Sequence, residues 1–393
     1  MNSLGTGFAL ILFAAVCGGI FALPIKLRRR YELENLYVMA AFVTMIGLPL
    51  LLAPLLLPHW PQAIAAAGSR VVWRGLAYGF AWGLGATSFG YGVSMVGLSL
   101  GYAVIMGINT AVGSILPFLA QSHGSLSGTS GTFVLIGIGG CILGVVVCST
   151  AGQIRDSSAA KRADSAEAAT ASSAGASRWR RFGVGILLCV VSGVMSACAN
   201  LGFSFTSEVG SAAVRLGASP AVAGLGSWML VYWGGFTATF LWFGGQQLRK
   251  GTWRRNFGEG SLHDFRLALL MGVLWFLAMI PYGMGAYYLG RLGTSAGWGI
   301  SIAASLIVAN VLGFFTGEWR AAPAAARAWL VAGLAVLIAS MVCLARANSV
   351  AQQQQPTSAQ RQPLIAPEAW STVLPTHARE DKRRAAGCHD CRV

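Results

Sequence analysis

The chain has 393 residues, 10% of them charged and 55% hydrophobic, and its mean hydropathy is +0.62. Soluble domains carry about 25% charged residues, so this composition cannot cover a water-facing surface and excludes a soluble globular fold. The net charge of +15 invites a nucleic-acid reading, but the basic residues sit in short loops and a tail, so the expected partner is the lipid bilayer and not nucleic acid.

Apolar stretches long enough to cross hydrocarbon as helices fall at 4–25, 35–57, 71–94, 98–120, 132–150, 182–206, 221–244, 265–288, 294–317 and 327–345. The first has no basic residue before it, and Lys26, Arg28, Arg29 and Arg30 follow it. A cleaved signal peptide has the opposite charge order, so this span is expected to stay. Between Asn35 and Ile154 the only charged side chains are Arg70 and Arg74. Residues 157–177 are rich in Ala and Ser and low in bulky apolar residues, which predicts a flexible linker over 151–181. That linker separates five spans (1–150) from five more (182–346). Residues 347–393, with Gln352–Gln355 and scattered Pro, are expected to be disordered.

Loop charge sets orientation. The loops after odd-numbered spans hold sixteen Lys and Arg, among them Arg155, Arg249, Lys250, Arg254 and Arg255. The even-numbered loops and their edges hold four, Arg70, Arg74, Arg215 and Arg291. The odd loops are therefore expected in the cytoplasm.

The halves resemble each other. At an offset of 196, Tyr91 meets Tyr287, Gly97 meets Gly293, Ser99 meets Ser295, Gly101 meets Gly297, Tyr102 meets Trp298, Asn109 meets Ser305 and Phe118 meets Phe314. At an offset of 178, Gly5 meets Gly183, Gly7 meets Gly185 and Leu10 meets Leu188. Five spans per half is an odd number, so the second half enters the membrane upside down. The predicted fold class is all-α: a polytopic membrane protein of ten transmembrane helices in two inverted five-helix repeats. Inverted repeats can exchange conformations and so open a central site to either side.

Few side chains in the spans can read a polar ligand. The amides are Asn109, Asn200 and Asn310, and the aromatics near repeat-related segments are Trp82, Tyr102, Trp275, Tyr282, Tyr287 and Trp298. Tyr102, Met106 and Asn109 share one helical face, as do Trp298, Ile302 and Ser305. An aromatic ring beside an amide suits a sugar, whose C–H face is apolar and whose hydroxyls need donors and acceptors. The candidate substrate-binding residues are thus Trp82, Tyr102, Asn109, Asn200, Trp275, Tyr282, Trp298 and Ser305. Proton coupling needs a titratable group near the pathway, and Glu34 and Glu208 are the candidates. Arg74, one turn into its span, can snorkel to the interface.

No nucleophile elbow, phosphate loop or paired intramembrane carboxylate occurs, so neither an enzyme nor a cofactor is expected. The five His lack metal-ligand spacing, and no metal is expected. Cys388 and Cys391 form an isolated C-x-x-C in the tail around His389 and Asp390.

Several landmarks occur in order: Pro24, Lys26 and Arg28–Arg30, then Glu34; Leu55-Leu56-Leu57-Pro58; Trp82-Gly83-x-Gly85 with Phe89-Gly90; Gly97-x-Ser99-x-Gly101 with Gly107; Ala151-Gly152-Gln153; Ser192-Gly193 through Asn200; and Gly317-Glu318-Trp319. Over roughly 1–346 this pattern resembles the L-rhamnose–proton symporter family of the drug/metabolite transporter superfamily. The chain departs from the family pattern at Ala86, Ser94 and the segment Thr294–Trp298. The resemblance implies two inverted five-helix halves that import a deoxy sugar with a proton, and a multi-pass protein of the cell inner membrane. Two other readings are an exporter of an amphiphile or amino-acid-like metabolite on the same fold, and an integral-membrane enzyme, which the missing catalytic set disfavours.

Overall fold

The computed structural model describes residues 3–121, 128–164, 175–258 and 261–353, and among them every regular element is a helix. The long ones are α1 (Ser3–Ile20), α2 (Leu33–Leu56), α3 (Ser69–Val96), α4 (Leu98–Gln121) and α5 (Thr129–Asp164) in the first part of the chain. In the second part they are α6 (Gly175–Ser204), α7 (Leu225–Thr239, carried on to Lys250), α8 (Ser261–Leu289), α9 (Gly293–Phe315) and α10 (Ala324–Gln353). Hydrocarbon offers the backbone no hydrogen-bond partner, so each apolar stretch must satisfy its own amides, and a helix does so.

Among the described residues, seven segments are long and apolar enough to cross a membrane, and one of them, Ser261–Phe315, contains both α8 and α9. The architecture is that of a polytopic membrane protein. Large apolar side chains point outward as a lipid-facing coat should: Leu55 is 75% exposed, Leu241 63% and Phe315 81%. Two expected spans, 71–94 and 221–244, are helical but less apolar than those seven, because α3 and α7 are rich in Gly, Trp and Tyr. Their glycines bring the two helices together. A Cβ on Gly79 would collide with the Val231 carbonyl, and one on Gly234 with that of Leu76. Small residues allow such approach, and close packing is what holds helices together in lipid.

The strongest helix pairings are α5 with α10, α3 with α6 and α7, α1 with α8 and α9, and α4 with α5 and α6. The α5–α10 seam is again glycine-lined, with Gly137, Gly140 and Gly144 against Leu344, Ser340 and Leu337. Both α2 and α7 contain a widened π turn, Val43–Gly47 in one and Phe240–Gly244 in the other.

Parts of the segments expected as linker and tail are helical. α5 continues to Asp164, α6 begins at Gly175 and α10 runs to Gln353. Alanine is the best helix former, so Ala-rich sequence prolongs a helix that packing has already nucleated. Residues 165–174 and 354–393, with Cys388 and Cys391, lie outside the described residues.

The loops that follow α1, α5, α7 and α9 gather on one face, called the basic face below. Lys26 pairs with Glu318 there, and Arg155 lies 3.8 Å from the same carboxylate. Arg255 pairs with Glu32 at 2.6 Å. The fully buried Asp264 of α8 accepts backbone N–H bonds from Arg29, Arg30 and Tyr31 at 2.6 to 3.2 Å, which fixes the loop after α1 onto α8. Burial of Tyr31, helped by the Asp264 charge, pushes the Tyr31 phenol above its usual range.

Overpacking the α3–α7 seam tests this arrangement. Gly79→Leu meets backbone that cannot move aside, so we expect a loss of about 3 kcal/mol, read as a lower melting temperature in detergent. Gly90→Ala, which faces open space, should leave it unchanged.

Candidate functional site

A cavity of about 440 Å³ lies between the helices, within the roughly 300–1,000 Å³ range of small-molecule sites. Every long helix except α5 and α10 contributes to its wall. Gly18 and Phe21 come from α1 and the turn after it, Tyr37 and Thr44 from α2, and Trp82 and Phe89 from α3. Tyr102, Met106 and Asn109 come from α4, Ser196 from α6, Phe243 from α7, Trp275 from α8, and Trp298, Ile302 and Ser305 from α9.

The lining residues of α1, α2, α4 and α7 come from the basic-face halves of those helices, whereas Ser196 of α6 and Trp298 of α9 lie past the middle. Trp82 and Trp275 stack nearly parallel, with ring centroids 6.2 Å apart and planes 10° from each other. Phe21 packs on Trp275 at 4.3 Å, and Phe89 meets Tyr102 edge-on at 6.1 Å. Polar groups are few. Thr44 donates to the Gly272 carbonyl at 2.7 Å. Asn109 Oδ1 and Trp275 Nε1 are buried with no hydrogen-bond partner in the protein. A buried polar atom without a partner costs about 1–3 kcal/mol, so each of these two holds hydrogen-bonding capacity that no described group of the protein uses. Among the described residues the wall contains no Asp, Glu, His, Lys or Arg.

The inner end is closed. Trp298 lies against Gly113, where a Cβ would approach its indole nitrogen to 2.5 Å. Behind it stands Tyr282, with ring centroids 5.3 Å apart. Beyond these, Phe203, Trp228 and Tyr232 stack in sequence, at 4.9 and 5.6 Å. Trp228, Tyr232 and Tyr282 are fully buried.

A family model described as L-rhamnose-proton symport protein (RhaT) matches residues 1–350. The chain belongs to this family. Its members are transporters and not enzymes. The L-rhamnose-proton symporter of Cronobacter sakazakii is 23% identical over 328 residues, covering 82% of this chain and 91% of that protein. The protein of the same name from Escherichia coli O1:K1 is 22% identical over 356 residues, covering 88% of this chain and 99% of that one.

In this member of the symporter family, six of the eight expected substrate-binding residues share the cavity wall: Trp82, Tyr102, Asn109, Trp275, Trp298 and Ser305. Asn200 and Tyr282 are not on it. Both are fully buried behind the wall, and their polar atoms bond to each other and to the backbone. Asn310 donates to the Leu306 carbonyl of its own helix.

Neither expected coupling residue lines the cavity. Glu34 opens α2 at the basic face, one turn before Tyr37. Its carboxylate accepts from Thr252 at 3.1 Å and pairs with Lys250 at 3.3 Å. Gln247 donates to its backbone carbonyl at 3.0 Å. Glu208 lies in the short helix Ser207–Arg215 toward the other face and pairs with Arg74 at 2.6 Å. Sequence reasoning missed Phe21, Tyr37, Phe89 and Phe243 as lining residues. Each is one apolar or aromatic residue in an apolar span, and only the positions of the neighbouring helices single it out.

Proposed function

We propose that the chain is a secondary active transporter that moves a rhamnose-like deoxy sugar together with a proton across the bacterial inner membrane by alternating access. The observation that carries this reading is the cavity, which is lined with aromatic rings, offers an unpartnered amide oxygen and an unpartnered indole N–H, and holds no charged side chain. A neutral polyol with one apolar face satisfies all three features. A charged amino acid would leave its charge unpaired in low dielectric. The names of the relatives in the family point the same way.

On this reading all ten long helices cross the bilayer as two inverted five-helix repeats. The pairing of helices supports it, because it survives exchange of the halves. α1 packs on α8 as α6 packs on α3, α1 on α9 as α6 on α4, and α4 on α5 as α9 on α10. The π turns support it too, falling at matching places in α2 and α7. The basic face then lies in the cytoplasm, and the cavity is drawn toward it. The described conformation is accordingly the one that exchanges sugar with the cytoplasm.

Glu34 is the favoured proton carrier, because it is a buried carboxylate one turn from a cavity-lining residue; Glu208 is the second candidate. A rival reading, export of an amphiphile, draws on Met45, Met106, Met271 and Met279 in the wall, since methionine adapts to varied apolar shapes.

Uptake of labelled L-rhamnose into vesicles with an acidified exterior and an inside-negative potential tests the proposal. A pH gradient should drive accumulation, and Asn109→Ala and Trp275→Ala should each raise KM about tenfold or more. Unchanged uptake in both variants would remove the sugar from this cavity. Glu34→Gln should abolish accumulation driven by the pH gradient while sparing sugar-for-sugar exchange; full retention of gradient-driven uptake would free Glu34 of the role.

A further inference from the structure

Asn200 is fully buried and uses its side chain on three partners. Its Nδ2 donates to the carbonyls of Gly113 at 2.7 Å and Thr294 at 2.8 Å. Its Oδ1 accepts from the Tyr282 hydroxyl at 2.6 Å. α6, which carries Asn200, packs with α3 and α4, and α8 and α9, which carry Tyr282 and Thr294, pack with α1; the two sets meet where α9 packs on α4, the helix of Gly113. The amide therefore ties the two sets of helices together on the side of the cavity that is closed.

The inverted copy has no such tie. At the repeat offsets of the two halves, Asn200 corresponds to Ala22, Trp298 to Tyr102 and Gly113 to Ala309. Ala22, Tyr102 and Ala309 all line the open cavity. The three equivalent positions at the other end are packed, with Trp298 seated on Gly113 and Asn200 donating to the Gly113 carbonyl. An alanine cannot make the bonds that an asparagine makes, so the two ends differ by a hydrogen-bonded clasp.

Beside this clasp sit polar atoms that are buried and have no partner among the described residues: Ser295 Oγ, Ser114 Oγ and Trp228 Nε1. Each raises the free energy of the sealed arrangement by an amount that contact with water would remove. The seal is thus opposed by its own orphaned groups and needs a specific attraction to stay shut.

We propose that Asn200, through Tyr282 and Thr294, is the lock that seals the transporter on the face opposite the basic one. It is a positioning residue that sets the equilibrium between the two access states, not a group that touches the sugar. This inference rests on the alternating-access reading above.

Thiol labelling tests it without any sugar. In a full-length chain whose eight native cysteines are replaced, Ser295→Cys reports on the sealed end and Ala22→Cys on the open end. Each is labelled with a membrane-impermeant maleimide from its own side. Adding Asn200→Ala should raise labelling at position 295 about tenfold and lower it at position 22. Tyr282→Phe, which removes one of the three bonds and keeps the ring, should shift both in the same directions by less, and it carries the test where Asn200→Ala does not fold. Unchanged labelling at 295 overturns the lock. A rise at both positions also overturns it, since general loosening is what loss of a merely structural brace produces. Reciprocal labelling in a chain that takes up no rhamnose would keep the lock and discard the sugar; uptake with no change in labelling would do the reverse.

Discussion

Hydrocarbon cannot hydrogen-bond, and most of this structure follows from that constraint. It forces the backbone into helices, and it removes the hydrophobic gain that would hold those helices together in water. What remains is close packing. The chain obtains it from glycine: Gly79 and Gly234 let α3 and α7 touch backbone to backbone, and Gly137, Gly140 and Gly144 do the same for α5 on α10. The same constraint makes every intramembrane polar side chain costly. A serine or threonine can turn its hydroxyl to its own helix, as Thr206 and Ser340 do. Asparagine has more to satisfy, and its bonding divides the three amides of the spans into distinct roles.

Asn310 bonds within its helix, Asn200 bonds between helices, and Asn109 leaves an oxygen bare beside the cavity. The chemistry of the side chain is the same in each case; only the partners differ. Asn109 lies on the cavity wall, and its bare acceptor is what the proposed sugar site uses, whereas Asn200 and Tyr282 lie behind the wall with their polar atoms bonded.

Much of the fold was legible in the sequence because lipid leaves a coarse imprint. Long charge-free intervals mark the helices, and the loops with Lys and Arg do meet on one face, through Lys26, Glu318 and Arg155. Helical spacing was enough to put Tyr102, Met106 and Asn109 on one wall and Trp298, Ile302 and Ser305 on another. The partner of each residue was not legible. Nothing local in the sequence marks Asp264 as the acceptor for the loop after α1, since the residues it holds, Arg29 to Tyr31, are more than 230 positions away and are held by backbone N–H groups, which carry no sequence signal. The same applies to Tyr282, whose hydroxyl donates to Asn200, a partner that nothing local in the sequence marks.

The empty charge inventory of the cavity also bears on how a proton is tied to a sugar. A carboxylate in so apolar a wall would pay heavily for ionisation, and its charge would repel no competitor that shape does not already exclude. At the basic-face mouth the cost is lower, because Glu34 has Lys250 and Thr252 as partners and Gln247 on its backbone. Those partners all belong to α7 or the turn after it, while Glu34 belongs to α2. On the proposed reading, protonation of Glu34 weakens the attachment of α2 to α7 at that mouth, and sugar binding acts on the same two helices from inside the cavity. Proton and sugar then need no contact with each other. Each biases one conformational equilibrium, and linkage requires that each alter the affinity for the other by the same factor. Separate sites joined by a shared equilibrium can therefore couple a proton to the sugar while the wall that holds the sugar stays free of charge.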